Sequence, residues 1–456
     1  MTPTSSERAP DARFRTALIV TVVALAALCA AFAALTLLQG PKLSSAQVDA
    51  RAAITAPGQA LRLFANTPVA EVSPSAVSIT PALPFSVTTD GKIIGITFDL
   101  PLRYATDYTV SVAGVTSVSA DQPSTLSYAF TTPAPSAYYL DRGETTDEIV
   151  RTRVAGNERT VVYSAPGIQN FALLGTSAVV STDAGDGTSS LSLVSFDDGG
   201  VEPLALPVPG TIERLQSATD SGTFGFTFSS QDGAYVDTLM TLNLDAGRDI
   251  VPAAALDGSR LDVANWLFLP NGVSLVAQNL NDDSLLMLDT ATGTILPLGT
   301  VSSLESLSTD GTTLGVTNPF GPVVLTLADL DDTEFAPSPI DGATPFPGEF
   351  QSTRDGLVQH VVLVDYQTDV FENLLVFDDG KTSRELYRTI DDAGSIGRIS
   401  VSPNDQFVAV EVVPNVETSV SDGRTVDPRS TSITTVFVSV ETGAIVKSVA
   451  GFALQW

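Results

Sequence analysis

The chain has 456 residues and a formal net charge of −29, from 52 acidic and 23 basic side chains. This excess of acid argues against nucleic-acid binding, because phosphate backbones are bound by basic surfaces. The only cysteine is Cys29, which excludes an intrachain disulfide and, beyond the N-terminal apolar segment, thiol catalysis and cysteine metal sites. The length predicts two or three domains.

Residues 16–38 form an uncharged apolar run that Arg13 and Arg15 precede. A helix of this length can cross a hydrocarbon core of about 30 Å. Basic residues before such a helix favour a cytoplasmic N-terminus. The sequence therefore predicts a single-pass signal anchor in the cell membrane, a cytoplasmic tail over 1–15 and an extracytoplasmic remainder.

The N-terminal apolar segment has two other interpretations. Cleavage as a signal peptide stays open because Ser44-Ser-Ala46 offers a small-residue site, although the apolar run exceeds the usual signal-peptide core. Lipid attachment at Cys29 is disfavoured because Leu28 precedes it and the apolar run continues beyond it.

Residues 39–57 are small and polar without periodicity, which predicts a linker. Strands are predicted over the next segment, residues 58–134. Within it, Asp90-Gly91 separates two strand-like runs at 85–87 and 94–98 and indicates a hairpin. Alternation of apolar and polar residues further along favours a small antiparallel β-sandwich.

Three phrases of this segment, Val72-Ser-Pro74, Ile96-Thr-Phe98-Asp-Leu-Pro101 and Tyr128-Ala-Phe130-Thr-Thr-Pro133, carry a family resemblance. Residues 58–134 resemble the bacterial immunoglobulin-like domains of the S-layer type. The resemblance implies a spacer or adhesive module of the cell envelope without catalysis.

Residues 135–456 contain a recurring phrase of strand, tight turn and alternating strand. Leu307-Ser-Thr-Asp-Gly311-Thr-Thr-Leu-Gly-Val316 is its clearest copy. Successive turns lie 39 to 50 residues apart and a third strand follows each phrase, which predicts a β-propeller. The turn residues are Gly175, Gly222, Gly272, Gly311, Gly356 and Asp405.

The two ends of this region supply one more blade. Residues 138–163 hold three strand-like runs without a preceding turn phrase, and Phe452–Trp456 is a lone closing strand. Pairing of these segments would close the ring and cover both sheet edges. We therefore predict seven blades, with six as the alternative, and an all-β fold class apart from the N-terminal transmembrane helix.

The turn phrases Ser402-Pro-Asn-Asp405 and Ser308-Thr-Asp-Gly311 resemble those of WD40-like propellers of the TolB type. The resemblance implies protein–protein contact in the cell envelope. No TolB-like N-terminal domain precedes the repeats, so it supports the fold rather than a TolB role.

The sequence offers few candidates for chemistry, and we predict no catalytic residue, metal ligand or cofactor-binding residue. His360 is the only histidine and lies on an alternating strand, where a structural role is expected. Calcium is the one cofactor left open, because carboxylates concentrate at 183–186 and 329–334. Neither loop has the spacing of an EF-hand, and Asp-Gly pairs are also what tight turns require.

The candidate partner-binding site is an insertion over 417–432, between the second and third strands of the last blade. Loops on a rigid scaffold are common recognition sites. Its charged candidates are Asp422, Arg424, Asp427 and Arg429. A tolerated insertion without a binding role is the competing interpretation.

The sequence thus predicts a membrane-anchored extracytoplasmic interaction protein. Residues 16–38 would contact the membrane, and the propeller would bind an envelope protein or glycan, with no nucleic-acid partner. An extracellular hydrolase with its site at the propeller channel and the ectodomain of a sensor complex are the alternatives. The innermost strands show no spaced set of acids that would favour the enzyme.

Overall fold

The computed structural model describes residues 12–37, 40–218, 221–368, 370–390 and 392–456. These residues form two compact units. Of the described residues, the first comprises those up to Ala53, Pro57–Leu102 and Thr106–Thr132, and the second Ile54–Ala56, Arg103–Ala105 and Pro133–Trp456. Most of the tail predicted over 1–15 lies outside the described residues.

The prediction of a transmembrane helix over 16–38 is corrected by the structure. Helix α1 runs from Ala12 to Leu37. Among the described residues no helix is long and apolar enough to cross a membrane. The fold class is therefore all-β without an established transmembrane segment.

The first unit contains two antiparallel sheets. One has the strand order β1-β2-β5-β4 and the other β3-β6-β7. β1 lies inside the predicted linker, residues 39–57, and pairs with β2. The strands are β1 (Leu43–Gln47), β2 (Ala60–Ala65), β3 (Val77–Thr80), β4 (Phe85–Asp90), β5 (Ile93–Phe98), β6 (Asp107–Ser117) and β7 (Ala120–Thr131), and short 3₁₀ turns occur at Ala52–Ile54 and Pro74–Ala76.

Alternation along these strands places one face in the core. Tyr108, Val110 and Val112 of β6 are almost fully buried, and the polar residues between them are not. The predicted hairpin at Asp90-Gly91 is confirmed, because β4 and β5 pair across it in register from Asp90↔Ile93 to Phe85↔Phe98.

The second unit contains seven four-stranded antiparallel sheets, as the repeat predicts. Sheet 1 has the order β35-β8-β9-β10, and sheets 2 to 7 take four consecutive strands each from β11 to β34. The strands of sheets 1 to 3 are β8 (Ser136–Asp141), β9 (Asp147–Arg153), β10 (Arg159–Ala165), β11 (Ile168–Leu174), β12 (Ser177–Asp183), β13 (Ser189–Ser195), β14 (Val201–Leu204), β15 (Gly210–Ser217), β16 (Thr223–Ser230), β17 (Thr238–Asn243) and β18 (Val251–Pro252).

The later sheets follow the same plan. Their strands are β19 (Val263–Phe268), β20 (Ser274–Asn279), β21 (Ser284–Asp289), β22 (Ile295–Thr300), β23 (Ser303–Leu307), β24 (Thr313–Asn318), β25 (Gly321–Thr326), β26 (Asp332–Glu334), β27 (Phe346–Thr353), β28 (Gly356–Asp365), β29 (Val370–Asp378), β30 (Ser383–Arg388), β31 (Ser395–Val401), β32 (Phe407–Val413), β33 (Thr434–Ser439), β34 (Ile445–Ala450) and β35 (Phe452–Gln455).

The predicted closure of the ring is confirmed. β35 pairs with β8, with Phe452 opposite Leu140 and Gln455 opposite Tyr138. The last strand of the chain is therefore the innermost strand of sheet 1. Trp456 ties this strand to sheet 7, since its indole Nε1 donates to the Ser400 carbonyl at 3.2 Å.

Glutamine side chains join the innermost strands of neighbouring sheets. Nε2 of Gln351 on β27 donates to the Leu307 carbonyl of β23 at 3.2 Å, and its Oε1 accepts from the Val401 N–H of β31 at 3.0 Å. Oε1 of Gln455 accepts from the Leu173 N–H of sheet 2 at 3.0 Å. These amide contacts satisfy backbone groups that no ladder partner reaches and hold neighbouring sheets in register.

The apolar cores lie between the faces of adjacent sheets. Phe350 of sheet 6 is fully buried and packs over Gly315 of sheet 5, where an added Cβ would lie 2.8 Å from the phenyl ring. Trp266 of sheet 4 packs over Gly225 of sheet 3 in the same way, and its Nε1 donates to Thr227 Oγ1 at 3.1 Å. Glycine at these strand positions allows a large ring to approach the backbone of the next sheet.

The alternation of antiparallel strands defines two faces of the propeller. The turn face carries the links between the first and second and the third and fourth strands of each sheet. The loop face carries the links between the second and third strands and the crossings from sheet to sheet. The recurring phrase forms the turn face: Ser308 Oγ accepts from the N–H groups of Thr312 and Thr313 at 3.1 and 3.0 Å, and Gly311 has φ +72°.

Candidate functional site

The innermost strands share a backbone irregularity near the loop face. Each of the seven strands slips in its pairing register at this level. A bulge of this kind re-aims a side chain out of the regular alternation. We call this set of bulges the bulge ring. The slips lie between Ile168 and Asn170, Glu213 and Gln216, Val263 and Asn265, Leu304 and Ser306, Pro347 and Phe350, Ile396 and Ile399, and Phe452 and Gln455.

Four of the residues left unpaired by these slips are charged: Arg214, Glu305, Glu349 and Arg398. Arg214 and Arg398 are exposed, whereas the two glutamates are half-buried. The mouth of the channel on the loop face is therefore polar and reaches solvent. Glu305 and Glu349 occupy the same level of two neighbouring sheets, a pairing that the sequence analysis did not predict.

The two arginines of the bulge ring influence each other. Arg214 adopts φ +48°, and its Nη1 donates to Asn265 Oδ1 at 2.6 Å. Burial lowers the pKa of Arg214 and the positive charge of Arg398 lowers it further, whereas the carboxylates of Glu213 and Asp237 raise it. The side chain of Arg398 forms no ion pair within the described part of the chain, and its charge acts on both Arg214 and Glu349. The two arginines thus lie close enough to influence each other, and neither forms an ion pair with a carboxylate among the described residues.

Glu349 faces a mixed electrostatic environment. Burial raises its pKa to about 7, against the opposing influence of the Ile399 N–H and the charge of Arg398. The Ile399 N–H donates to Glu349 Oε1 at 3.4 Å. The carboxylates of Glu305 and Glu411 also raise the pKa. Glu349 is therefore a group that changes charge near neutral pH.

The loop over 417–432 lies where the sequence predicted, between β32 and β33. Its arginines are engaged within the protein. Nη2 of Arg424 donates to both carboxylate oxygens of Asp147 at 2.8 and 3.0 Å, and Asp147 is fully buried. Asp147 also accepts from the Ile168 N–H at 2.8 Å. Arg429 Nη1 donates to the buried Glu411 at 3.2 Å.

Asp422 and Asp427 are held by an arginine of sheet 1. Arg142 Nη1 donates to Asp422 Oδ2 at 2.7 Å and to the Asp427 carbonyl at 2.8 Å. Burial favours a higher pKa for Asp422, but its hydrogen bonds with Arg142 and two backbone N–H groups outweigh burial, and the pKa lies below its ordinary value. The guanidinium groups of Arg142 and Arg429 lie 4.7 and 5.1 Å from the ring centroid of Phe452. All four predicted loop residues thus bind to the closing strand and its neighbours.

Large apolar side chains are exposed mainly on one face. Outside the outermost strands of each sheet, the turn face exposes Val273 and Leu330. The loop face exposes many more, with Phe320 89%, Tyr366 77% and Ile390 98% accessible. The full set on the loop face is Val236, Leu256, Leu280, Phe320, Phe346, Tyr366, Phe371, Ile390, Val416 and Val420.

The exposed aromatic residues concentrate on sheet 6 and its neighbours. Phe346 lies opposite Val362 on β28, and Phe371 lies opposite Val364 of the same strand. Tyr366 follows that strand directly. Val416 belongs to the same surface because its N–H donates to the Ala393 carbonyl, in the crossing that carries Ile390, at 2.7 Å. We call Phe320, Phe346, Tyr366, Phe371, Ile390, Val416 and Val420 the aromatic patch.

The remaining sequence candidates have local roles. Nε2 of His360 lies 2.9 Å from Asn373 Oδ1, and burial lowers the pKa of this histidine. Asp183 and Asp186 accept from backbone N–H groups of their own loop, and Asp329 accepts from the Asp331 N–H at 3.2 Å. Among the residues that the structure describes, no group of three or more His, Cys, Asp or Glu side chains is placed to hold a metal ion.

No protein-family model and no curated protein matches the chain. Among solved structures, it is similar to dihydro-heme d1 dehydrogenase NirN in complex with DHE, at 14% identity and TM-score 0.42, over 70% of this chain and 74% of that one. The periplasmic gluconolactonase PpgL of Pseudomonas aeruginosa is similar at 14% identity and TM-score 0.42, over 70% and 98% of the two chains. TolB of Acinetobacter baumannii is similar at 14% identity and TM-score 0.34, over 49% and 58%.

The seven sheets by themselves define the β-propeller fold, and these neighbours, all with TM-scores below 0.5, add no argument to it. At this level of identity they indicate no activity for the chain. The comparisons do not support the S-layer resemblance of residues 58–134.

Proposed function

We propose that the protein is a recognition module whose propeller binds a partner protein through the aromatic patch. The observation that carries this proposal is the one-sided exposure of large apolar side chains on the loop face. Exposed apolar side chains scattered singly are ordinary on a protein surface. A concentration of them on one face, with several aromatic residues, is characteristic of protein interfaces.

The setting of the patch favours specific binding. Phe346 and Phe371 are located on strands of sheet 6, so the fold fixes their positions. Tyr366 and Ile390 stand on adjacent links and present most of their surface to solvent. Aromatic side chains anchored on a rigid scaffold lose little conformational entropy on binding and often dominate interface energies. The partner is therefore expected to offer an apolar surface.

Site-specific photocrosslinking in living cells of the source organism tests the proposal. A photoreactive residue is placed at Tyr366 in one variant and at Leu330, on the turn face, in the other. We expect a discrete adduct with one partner protein from position 366 and none from position 330. The partner identified in this way is then purified, and its affinity is measured for the wild type and for Tyr366→Ser/Phe371→Ser.

The affinity should fall by about tenfold or more in the double variant, since each aromatic anchor contributes on the order of 1–2 kcal/mol. Leu330→Ser provides the control and should bind as the wild type does. Equal adducts at both positions, an adduct with a second copy of this chain, or an adduct removed by glycosidases would each contradict a protein partner at the aromatic patch.

A further inference from the structure

The bulge ring presents a second recognition element that is chemically different from the aromatic patch. Arg214 and Arg398 stand at the same level of sheets 3 and 7, on strands that line the channel. Both are exposed. In a chain with a net charge of −29, nine of the described arginines form ion pairs with carboxylates. Arg214 and Arg398 instead are exposed, lie in the register slips of their strands and form no ion pair within the described part of the chain.

The contrast with other arginines of the propeller is clear. Arg142, Arg424 and Arg429 each form an ion pair with a carboxylate at 2.7 to 3.2 Å. Arg214 reaches only the neutral amide of Asn265, and Asn265 in turn donates to the Leu304 carbonyl. That chain of hydrogen bonds fixes the direction of the Arg214 guanidinium and leaves its remaining donors unassigned.

Placing two cationic groups near each other costs free energy in the absence of an anion. An oxyanion between them would neutralise the repulsion and accept hydrogen bonds from both planar guanidinium groups. We propose that the channel mouth is an oxyanion site, in which Arg214 and Arg398 bind a carboxylate or phosphate group of a ligand.

The charge of Glu349 determines how well this site can bind an anion. Its neighbours are Arg398 on β31, Glu305 on β23 and Glu411 on β32, and His360 of β28 lies beside the adjoining Gly348. Glu213 lies next to Arg214 on the far side of the mouth. With a pKa of about 7, Glu349 is neutral in mildly acidic solution. Above neutral pH the Glu349 carboxylate competes with the ligand for Arg398 and repels the anionic ligand.

Calorimetric titration of the purified full-length chain tests the site with two probes, oxalate and inorganic phosphate. Oxalate keeps its charge between about pH 6 and pH 8, so any change in its affinity comes from the protein. We expect binding near pH 6, weakening about tenfold near pH 8. Glu349→Gln should bind oxalate equally at both values. The tighter of the two probes identifies the preferred oxyanion class.

The decisive variant is Arg214→Gln/Arg398→Gln, which should lose about tenfold or more in affinity for the bound probe because two charge-assisted contacts disappear. Arg398→Gln alone should lose part of the affinity for the bound probe. This single variant keeps the test valid if the double variant folds poorly. Arg151→Gln, an exposed arginine on β9 outside the channel, is the matched control and should bind normally. Absence of binding by the wild type, or equal binding by the arginine variants, would overturn the proposal.

The oxyanion site is independent of the proposed partner protein. The calorimetric test needs only the purified chain, whereas the crosslinking test depends on the aromatic patch. Failure of one experiment therefore leaves the other interpretable.

Discussion

Two groups of arginines on the loop face have opposite surroundings. Arg142, Arg424 and Arg429 hold the 417–432 loop against the ring closure through carboxylates that are mostly or fully buried. Arg214 and Arg398 belong to the innermost strands, and neither forms an ion pair with a carboxylate among the residues that the structure describes. The difference separates a locking function from a recognition function on the same face.

Arg142, Arg424 and Arg429 and their carboxylate partners belong to the contacts that hold the closing strand β35. Glu411 accepts from the Ala453 N–H at 2.9 Å and from Arg429, and two guanidinium groups flank the ring of Phe452. Cation–aromatic contacts of this kind are each worth about 0.5–2 kcal/mol when shielded from water. The loop that sequence analysis proposed as a binding site therefore helps to keep the ring closed.

The largest expected effect concerns the ion pair between Arg424 and Asp147. Arg424→Met keeps the apolar stem of the side chain but leaves Asp147 as a buried carboxylate whose remaining contact is the Ile168 N–H. We expect a loss of about 3 kcal/mol in the free energy of unfolding, because removing one member of a buried ion pair leaves an uncompensated charge. Reversible urea unfolding measures the change.

Arg248→Met is the matched control for this prediction. Arg248 pairs with Glu202, and both side chains are about half exposed, at 47% and 53%. Exposed ion pairs contribute at most about 1 kcal/mol. An equal loss in the two variants would show that the Arg424–Asp147 pair has no special role in closing the ring.

The second-largest expected effect concerns Glu349, whose pKa is influenced by Arg398. Its pKa in the folded chain is raised to about 7 from an ordinary value of 4.5. The contribution of Glu349 to the free energy of unfolding is therefore fully present below about pH 4.5. It decreases as the pH rises toward 7, because the unfolded chain ionises this carboxyl more readily. Glu349→Gln should remove that decrease and gain on the order of 1–3 kcal/mol near pH 8.

Urea midpoints near pH 5 and pH 8 measure this gain. Glu213→Gln serves as the control, since Glu213 lies in the same mouth but is exposed. The difference in urea midpoint between the wild type and Glu349→Gln should change between the two pH values. A constant difference would contradict the role assigned to Glu349.

A smaller effect is expected at Asp422, in the opposite pH range. Its lowered pKa means that its stabilising contribution is present above about pH 4 and is lost as the pH falls through the folded value. Asp422→Asn should cost about 1 kcal/mol near neutral pH, because the ion pair with Arg142 becomes a hydrogen bond from the charged guanidinium to a neutral amide oxygen. The cost should shrink in strong acid, as thermal unfolding at several pH values will show. A cost that stays the same in acid would exclude the ion pair as its source.

Local sequence signals predicted the scaffold well. The Asp-Gly turns depend on neighbouring residues alone, as the hydrogen bonds from Ser308 show, and the lone strand at Phe452–Trp456 was identifiable from the repeat. The binding role of the loop residues stays a prediction, whereas their contacts within the chain could not be predicted because the partners lie far away in the sequence: Arg424 pairs with Asp147, 277 residues earlier. No local pattern reveals such a pairing.

The bulge ring escaped prediction for a different reason. A register slip of one or two residues leaves no mark in hydrophobic alternation. A signal did exist, because Asn265, Glu305, Glu349 and Arg398 each stand six or seven residues before a turn residue of the repeat. Polar residues recurring at one position of the blade period indicate a shared level in the channel.

The smallest expected effect completes the comparison between the two groups of arginines. Arg398→Ala removes one positive charge, as Arg424→Met does, yet we expect it to change the free energy of unfolding by less than about 0.5 kcal/mol. The side chain of Arg398 forms no ion pair within the described residues, and its removal relieves the repulsion on Arg214. It also withdraws the positive charge that lowers the pKa of Glu349, so that pKa should rise. Urea unfolding near pH 6, where Glu349 is largely neutral in both proteins, isolates the contribution of Arg398. A loss comparable to that of Arg424→Met would place Arg398 among the arginines that lock the fold.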